Sequence, residues 1–97
     1  MANIRSQIKR NRQNEKRRLR NRIYRGSARK AIKRARLAME AQNLEEAIEA
    51  VRLAVKRLDK AAQKGSIHKR NAARRKSRLM KRLAALQAAQ QGQQAAS

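Results

Sequence analysis

Between Asn43 and Gly65, apolar residues recur at Leu44, Ile48, Val51, Val55, Leu58 and Ala62, in steps that alternate between four and three. That spacing lays all six along one face of an α-helix as a narrow seam. Ala47, Ala54 and Ala61 widen the seam enough for two neighbours to pack on it. Both ends carry boundary signals. Asn43 followed three residues later by Glu46 is a capping-box pattern, and Glu45 and Glu46 suit the positive end of the helix dipole. Gly65 is a C-terminal stop, because glycine adopts the left-handed conformation without penalty.

Upstream, the pattern predicts a first helix over residues 5–41, roughly 37 residues and ~55 Å long. Its second half carries the stripe Leu19, Ile23, Tyr24, Ala28, Ala31, Ile32, Ala35, Ala38 and Met39, read as core-facing. Between Ile8 and Leu19 no apolar side chain occurs, and a helix that is polar all round has no core to bury against. The second helix, over 44–64, spans only ~32 Å. Antiparallel pairing therefore leaves roughly the first 15 to 18 residues overhanging, folded only against a partner. Downstream, Ser66 offers an N-cap for a third helix over 66–88, with Ile67, Ala72, Leu79, Leu83 and Leu86 inward. The short links 41–43 and 65–66 force antiparallel neighbours. The expected fold is all-α, an antiparallel three-helix bundle over residues 1–86 whose long first helix overhangs it. Residues 87–97, rich in Gln and Ala, read as a frayed or disordered tail. Gly26, inside the first helix, is either tolerated drift or a close backbone approach to a phosphate or a neighbouring helix.

Charge changes this picture. Residues 37–65 are neutral, residues 1–36 carry a net +14 and residues 66–97 a net +8, which makes up the +22 of the 97-residue chain. A neutral helix is flanked by two polycationic ones, so a polyanion is needed to hold them together. The runs Lys9–Arg22 and Lys69–Arg82 contain a single acid, Glu15. Arginine forks suit phosphate, and Asn11, Gln13, Asn14 and Asn21 add hydrogen-bonding groups among them. With Tyr24 as the one aromatic, and that one expected in the core, stacking on single strands is disfavoured. Folded nucleic acid read by backbone and shape fits better.

Other chemistry finds little support. There is no cysteine, one histidine and few acids, so no metal site, cofactor or small-molecule substrate is expected. His68 has no base or ligand partner nearby in sequence, and Glu45, Glu46 and Glu49 are explained by the first turn of a helix. No apolar run serves as a signal peptide or a membrane span, which predicts a soluble, intracellular protein. An enzyme is not supported. A DNA-compacting protein fits the composition nearly as well as an RNA binder, but would commonly dimerise, and the seam here is consumed within the chain. A membrane-active helix needs large apolar residues opposite the charges, and Lys9–Arg18 has none.

Several blocks are familiar. Met1-Ala2-Asn3-Ile4 with Ser6, Lys9 and Arg10, and Asn14-Glu15-Lys16-Arg17-Arg18-Leu19-Arg20-Asn21, resemble the bacterial small-subunit ribosomal protein twenty family. So do Leu58-Asp59-Lys60-Ala61-Ala62, Lys64-Gly65, Ile67-His68-Lys69, Ala72-Ala73-Arg74 and Lys76-Ser77-Arg78-Leu79. The resemblance covers about residues 1–86. It departs at Gly26, where a small helix former is expected, at Arg70, and in the tail. It implies a cytoplasmic, ribosomal three-helix bundle, monomeric within the small subunit, that binds small-subunit ribosomal RNA directly and early in assembly. Charge and resemblance together select Ser6, Lys9, Arg10, Arg12, Asn14, Lys16, Arg17, Arg18, Arg20, Asn21, Arg22, Arg25 and Arg29 on the first helix. On the third they select His68, Lys69, Arg70, Arg74, Arg75, Lys76, Arg78 and Lys81.

Overall fold

A computed structural model describes the backbone of residues 2–96 and the side-chain surroundings of residues 4–92. Three helices make up the fold: α1 (Ala2–Glu40), α2 (Leu44–Gln63) and α3 (Lys69–Ala96). No strand occurs among the described residues.

Two hydrogen bonds fix the helix directions. Ser66 Oγ donates to Asn21 Oδ1 at 3.0 Å, so the α2–α3 turn sits beside the middle of α1. Gln90 Nε2 donates to the Gln42 carbonyl at 2.7 Å, so the far part of α3 reaches the α1–α2 turn. Helix α2 is thus antiparallel to both neighbours, and α3 runs parallel to α1. It packs on both, while α1 and α3 touch little. Residues 4–20 are exposed on every face, so about 17 to 20 residues of α1 project beyond the bundle, ~30 Å of helix. The molecule measures 79 × 20 × 14 Å. Its radius of gyration is 19.2 Å, against ~12.5 Å for a compact chain of this length.

The overhang is helical and continuous with the rest of α1. Good helix formers and the absence of glycine or proline before Gly26 account for the geometry. Residues 4–20 are exposed throughout, so burial against the bundle does not hold them in place.

Both turns close by the same device. At the end of α1 the Gln42 N–H donates to the Met39 carbonyl at 3.1 Å and the Asn43 N–H to the Ala38 carbonyl at 3.2 Å. At the end of α2 the Gly65 N–H donates to Ala62 at 3.0 Å and the Ser66 N–H to Ala61 at 2.8 Å. This is the Schellman pattern, with Gln42 (φ 58°) and Gly65 (φ 74°) in the left-handed region. Asn43 Oδ1 accepts from the Glu46 N–H at 3.3 Å, the forward half of the capping box. The return half is pre-empted, since the Asn43 N–H is already bonded to Ala38.

Helix α3 begins later than expected. Ser66 turns inward to Asn21, and His68 takes its place as the cap: Nδ1 accepts from the Arg70 N–H at 3.1 Å and its carbonyl from the Ala72 N–H at 3.1 Å. At its other end α3 continues beyond residue 88 to Ala96, because Gln and Ala propagate a helix well and Gly92 is tolerated. Ser97, the last residue of the expected tail, lies outside the described residues.

The core is built largely from alanine. Ala28, Ala31, Ala35 and Ala38 of α1 cluster with Ala47, Ala50 and Ala54 of α2, together with Ile32, Met39, Val51, Leu58, Ala72 and Leu79; Ala61 is buried as well. Among the described residues, Leu58 is the one large side chain fully shielded. The α2 seam holds, with its weight shifted: Val51 and Leu58 are buried, while Leu44, Ile48, Val55 and Ala62 are half-buried. Small side chains let the axes approach, so the alanine line occupies the deepest position. Leu19 and Ile23, expected in the core stripe, are 61% and 60% exposed. They precede the buried Ala28 and Ile32 by nine residues each, half a turn round the helix. Tyr24 is half-buried at the bundle's lower end.

Three outcomes follow. Leu58→Ala lowers stability by ~2–4 kcal/mol, read from denaturant unfolding, because its cavity lies where alanines cannot collapse onto it. Gln42→Gly raises stability by ~0.5–1 kcal/mol in the same assay, since a left-handed L-residue carries a penalty that glycine escapes. In amide hydrogen exchange on the free chain, residues 5–18 exchange far faster than 44–58. Equal protection would show that the overhang is held by contacts beyond the helix itself.

Candidate nucleic-acid interface

Arg29, Lys33 and Arg36 recur along α1 in steps of four and three. Arg75, Arg78 and Arg82 recur along α3 in steps of three and four. Each trio therefore forms one ridge of its helix. The packing of both helices on α2 turns the two ridges toward one another. Between them lies an open cleft of about 610 Å³, lined by those six cations and floored by Ile32 and Leu79. No acid lines it. Like charges a few ångströms apart repel even in water, by ~0.5 kcal/mol per pair at 8 Å. The cleft thus concentrates unbalanced positive charge from two helices.

The α1–α2 groove is different. Arg34 lines it with Glu46, Glu49 and the apolar Leu37, Ala38, Ala41, Ala50 and Leu53. Its charges are mixed because four of the chain's acids fall between Glu40 and Glu49, where α1 ends and α2 begins. The molecule has a near-neutral side along α2 and a cationic side along α1 and α3.

Of the residues singled out from the sequence, Arg29, Arg75 and Arg78 come together in the cleft. Lys9, Arg10, Arg12, Asn14, Lys16, Arg17, Arg18 and Arg20 are exposed around the full circumference of the overhang, with Ser6 near its start. They form a charged rod rather than a face. Arg22 and Arg25 continue the rod to the bundle. Lys69, Arg70, Arg74 and Lys81 are exposed on α3. Asn21, Lys76 and His68 are among those engaged within the chain. Asn21 is half-buried and accepts from Ser66. Lys76 Nζ pairs with Asp59 Oδ1 at 2.6 Å, a surface link from α3 to α2. His68 spends Nδ1 on capping α3.

Lys33, Arg36 and Arg82 line the cleft and were absent from the sequence selection. Their signal was present in the steps from Arg29 and from Arg75. What was missing was the knowledge that these two ridges face each other. Among the described residues, no group of three His, Cys, Asp or Glu side chains is placed to hold a metal ion. No described helix is long and apolar enough to cross a membrane.

The family profile described as Ribosomal protein S20 matches residues 2–84. A small ribosomal subunit protein bS20 from Thermomicrobium roseum is 55% identical over 96 residues, covering 97% of each chain. The bS20 of Thermobifida fusca is 57% identical over 90 residues, 93% of this chain and 98% of that one. The bS20 of Geobacillus thermodenitrificans is 50% identical over 88 residues, 91% and 99% of the two chains. With the profile spanning both cationic helices and relatives matching almost end to end, the chain belongs to the ribosomal protein S20 family.

Proposed function

We propose that this protein binds small-subunit ribosomal RNA directly through α1 and α3, and stabilises the folding of that RNA during assembly of the small ribosomal subunit. As a ribosomal protein it has a structural role and is not an enzyme. The observation that carries the RNA reading is the acid-free α1–α3 cleft, in which six cations from two helices converge. The overhang extends the same charge ~30 Å past the bundle, long enough to lie along several phosphates of a second RNA segment. The protein acts in the cytoplasm, as one copy per subunit, because α2 spends its apolar face within the chain. The residues proposed to contact RNA are those selected on α1 and α3, with Lys33, Arg36 and Arg82 added. Asn21 Oδ1 and Lys76 Nζ each hold one partner within the chain, and the Asn21 side-chain amide and the Lys76 ammonium have further donors to offer RNA.

Phosphate recognition of this kind is salt-dependent. If about 8 phosphates are neutralised, log K against log salt has a slope on the order of −6 to −7. Replacing Arg29, Arg36 and Arg78 together by Gln lowers affinity and flattens the slope by about 3, roughly one per lost phosphate contact. The same variant melts no lower than wild type as a free protein, because the cleft charges oppose the fold. A wild-type slope shallower than about −2 would contradict a phosphate-dominated interface. Equal affinity for duplex DNA at the same salt concentration would favour a general polyanion binder instead.

A further inference from the structure

We propose that a notch at Gly26, on the side of α1 facing away from the bundle core, seats one ribose–phosphate strand at the minor-groove edge of an RNA duplex. The inference rests on the ribosomal RNA reading above and places one specific contact within it. Glycine in a helix interior is entropically unfavourable, so its presence at position 26 calls for a cause. The fold supplies none. A Cβ built on Gly26 meets nothing within 4 Å, and a positive φ among the glycines occurs at Gly65, not here. A neighbouring helix of this chain is therefore not what the glycine accommodates.

The surroundings indicate what approaches from outside. Leu19, Arg22, Ile23, Ser27 and Lys30 border Gly26 in an open groove of about 500 Å³. Leu19 and Ile23 are exposed large aliphatics with no cover from the bundle. Arg22 and Lys30 lie four residues to either side of the glycine, about one turn up and one turn down. The combination is an apolar floor, a hydroxyl and two flanking cations around a missing side chain. The minor groove of an RNA helix is wide and shallow and displays sugar faces and 2′-hydroxyls between rows of phosphate. Ribose C–H surfaces fit Leu19 and Ile23, a 2′-hydroxyl fits Ser27, and the two cations reach phosphates on either side. Lipid is a poor match, because cations surround so small an apolar floor. The notch is also continuous with the cleft: Arg22 precedes Arg29 by seven residues, so the two lie nearly in line along α1. One duplex can therefore engage the notch and the α1 wall of the cleft together.

The test exploits opposite effects on folding and binding. Gly26→Ala and Gly26→Leu are made in the full chain. The free proteins melt at or above the wild-type temperature, since both side chains enter open space and both residues favour helix over glycine. Binding to a full-length small-subunit ribosomal RNA transcript at one fixed salt concentration weakens by ~10-fold for Ala and ~100-fold for Leu, because a side chain now holds the strand off. The salt slope falls by at most about 2, one for each of the Arg22 and Lys30 phosphate contacts, and the cleft contacts keep the rest of it, whereas the cleft variant loses about 3. Hydroxyl-radical footprinting of the RNA loses one cluster of protected riboses and keeps the others. Wild-type affinity and footprint in both variants would overturn the proposal. So would normal binding to the transcript combined with failure of Gly26→Leu to enter reconstituted small subunits, which would assign the notch to a protein neighbour. A wild-type chain that did not bind the transcript would overturn the ribosomal RNA reading, and this contact with it.

Discussion

Burial on α2 is what allows two strongly cationic helices to share one fold. Its charges balance, and its apolar face is wide enough to take α1 on one side and α3 on the other. Alanine makes this geometry possible. Rows of small side chains on α1 and α2 bring the helix axes close, so contact extends along the backbone instead of through a few large groups. Alanine buries little surface per residue, however, and among the described residues Leu58 is the one large side chain fully enclosed. The bundle is therefore held by a long, thin contact whose strength depends on α2 remaining straight and correctly ended. That explains the attention to its ends: an Asn cap, two first-turn acids, and a glycine-closed C-terminus whose left-handed turn starts the chain back along the bundle.

The opposing force is electrostatic. Helices α1 and α3 scarcely touch, and where they face each other they present six cations and no acid. Such an arrangement raises the free energy of the isolated protein. It lowers the free energy of any state in which a phosphate chain occupies the gap, because bound counter-charge converts mutual repulsion into shared attraction. On the proposed reading, stability and RNA binding are two measurements of the same linked equilibrium. The ion pair between α2 and α3, Lys76 with Asp59, lies near the surface and is worth at most about 1 kcal/mol, too little to offset the cleft.

Much of this was legible in the sequence. The 4-3 spacing on α2, its Asn43 cap, Gly65 and the neutral-between-basic charge pattern gave the helix count, the order and the overhang. The misreadings share a physical cause. Leu19 and Ile23 were read as core because they are apolar and helically spaced. Spacing alone does not say which of two opposite faces meets the bundle, and on α1 the alanine face wins. Ser66 was read as a helix cap because serine caps often, but a tertiary partner, Asn21, claims its hydroxyl and leaves capping to His68. Lys33, Arg36 and Arg82 were passed over because a cation's role here depends on what stands across the cleft, which is set by packing and not by local pattern.

The same reasoning explains why α1 can carry two apolar stripes. Over the bundle one stripe is occupied by α2, so Leu19, Ile23 and Leu37 on the far side are left without intramolecular cover. Ile4 and Ile8 fall on that far side as well, since eleven residues, close to three full turns, separate Ile8 from Leu19. A protein selected only to be stable alone gains nothing from isoleucine and leucine there, and polar residues would keep it more soluble. A helix that is cationic around its circumference yet keeps a thin apolar line outward is suited to a partner that is both anionic and locally apolar. RNA is such a partner, with phosphates outside and sugar faces within its shallow groove. On this view the overhang is not an unfinished part of the bundle. It continues a helix that the chain packs on one side only, over the bundle, and on the proposed reading its exposed surface is the part left for RNA.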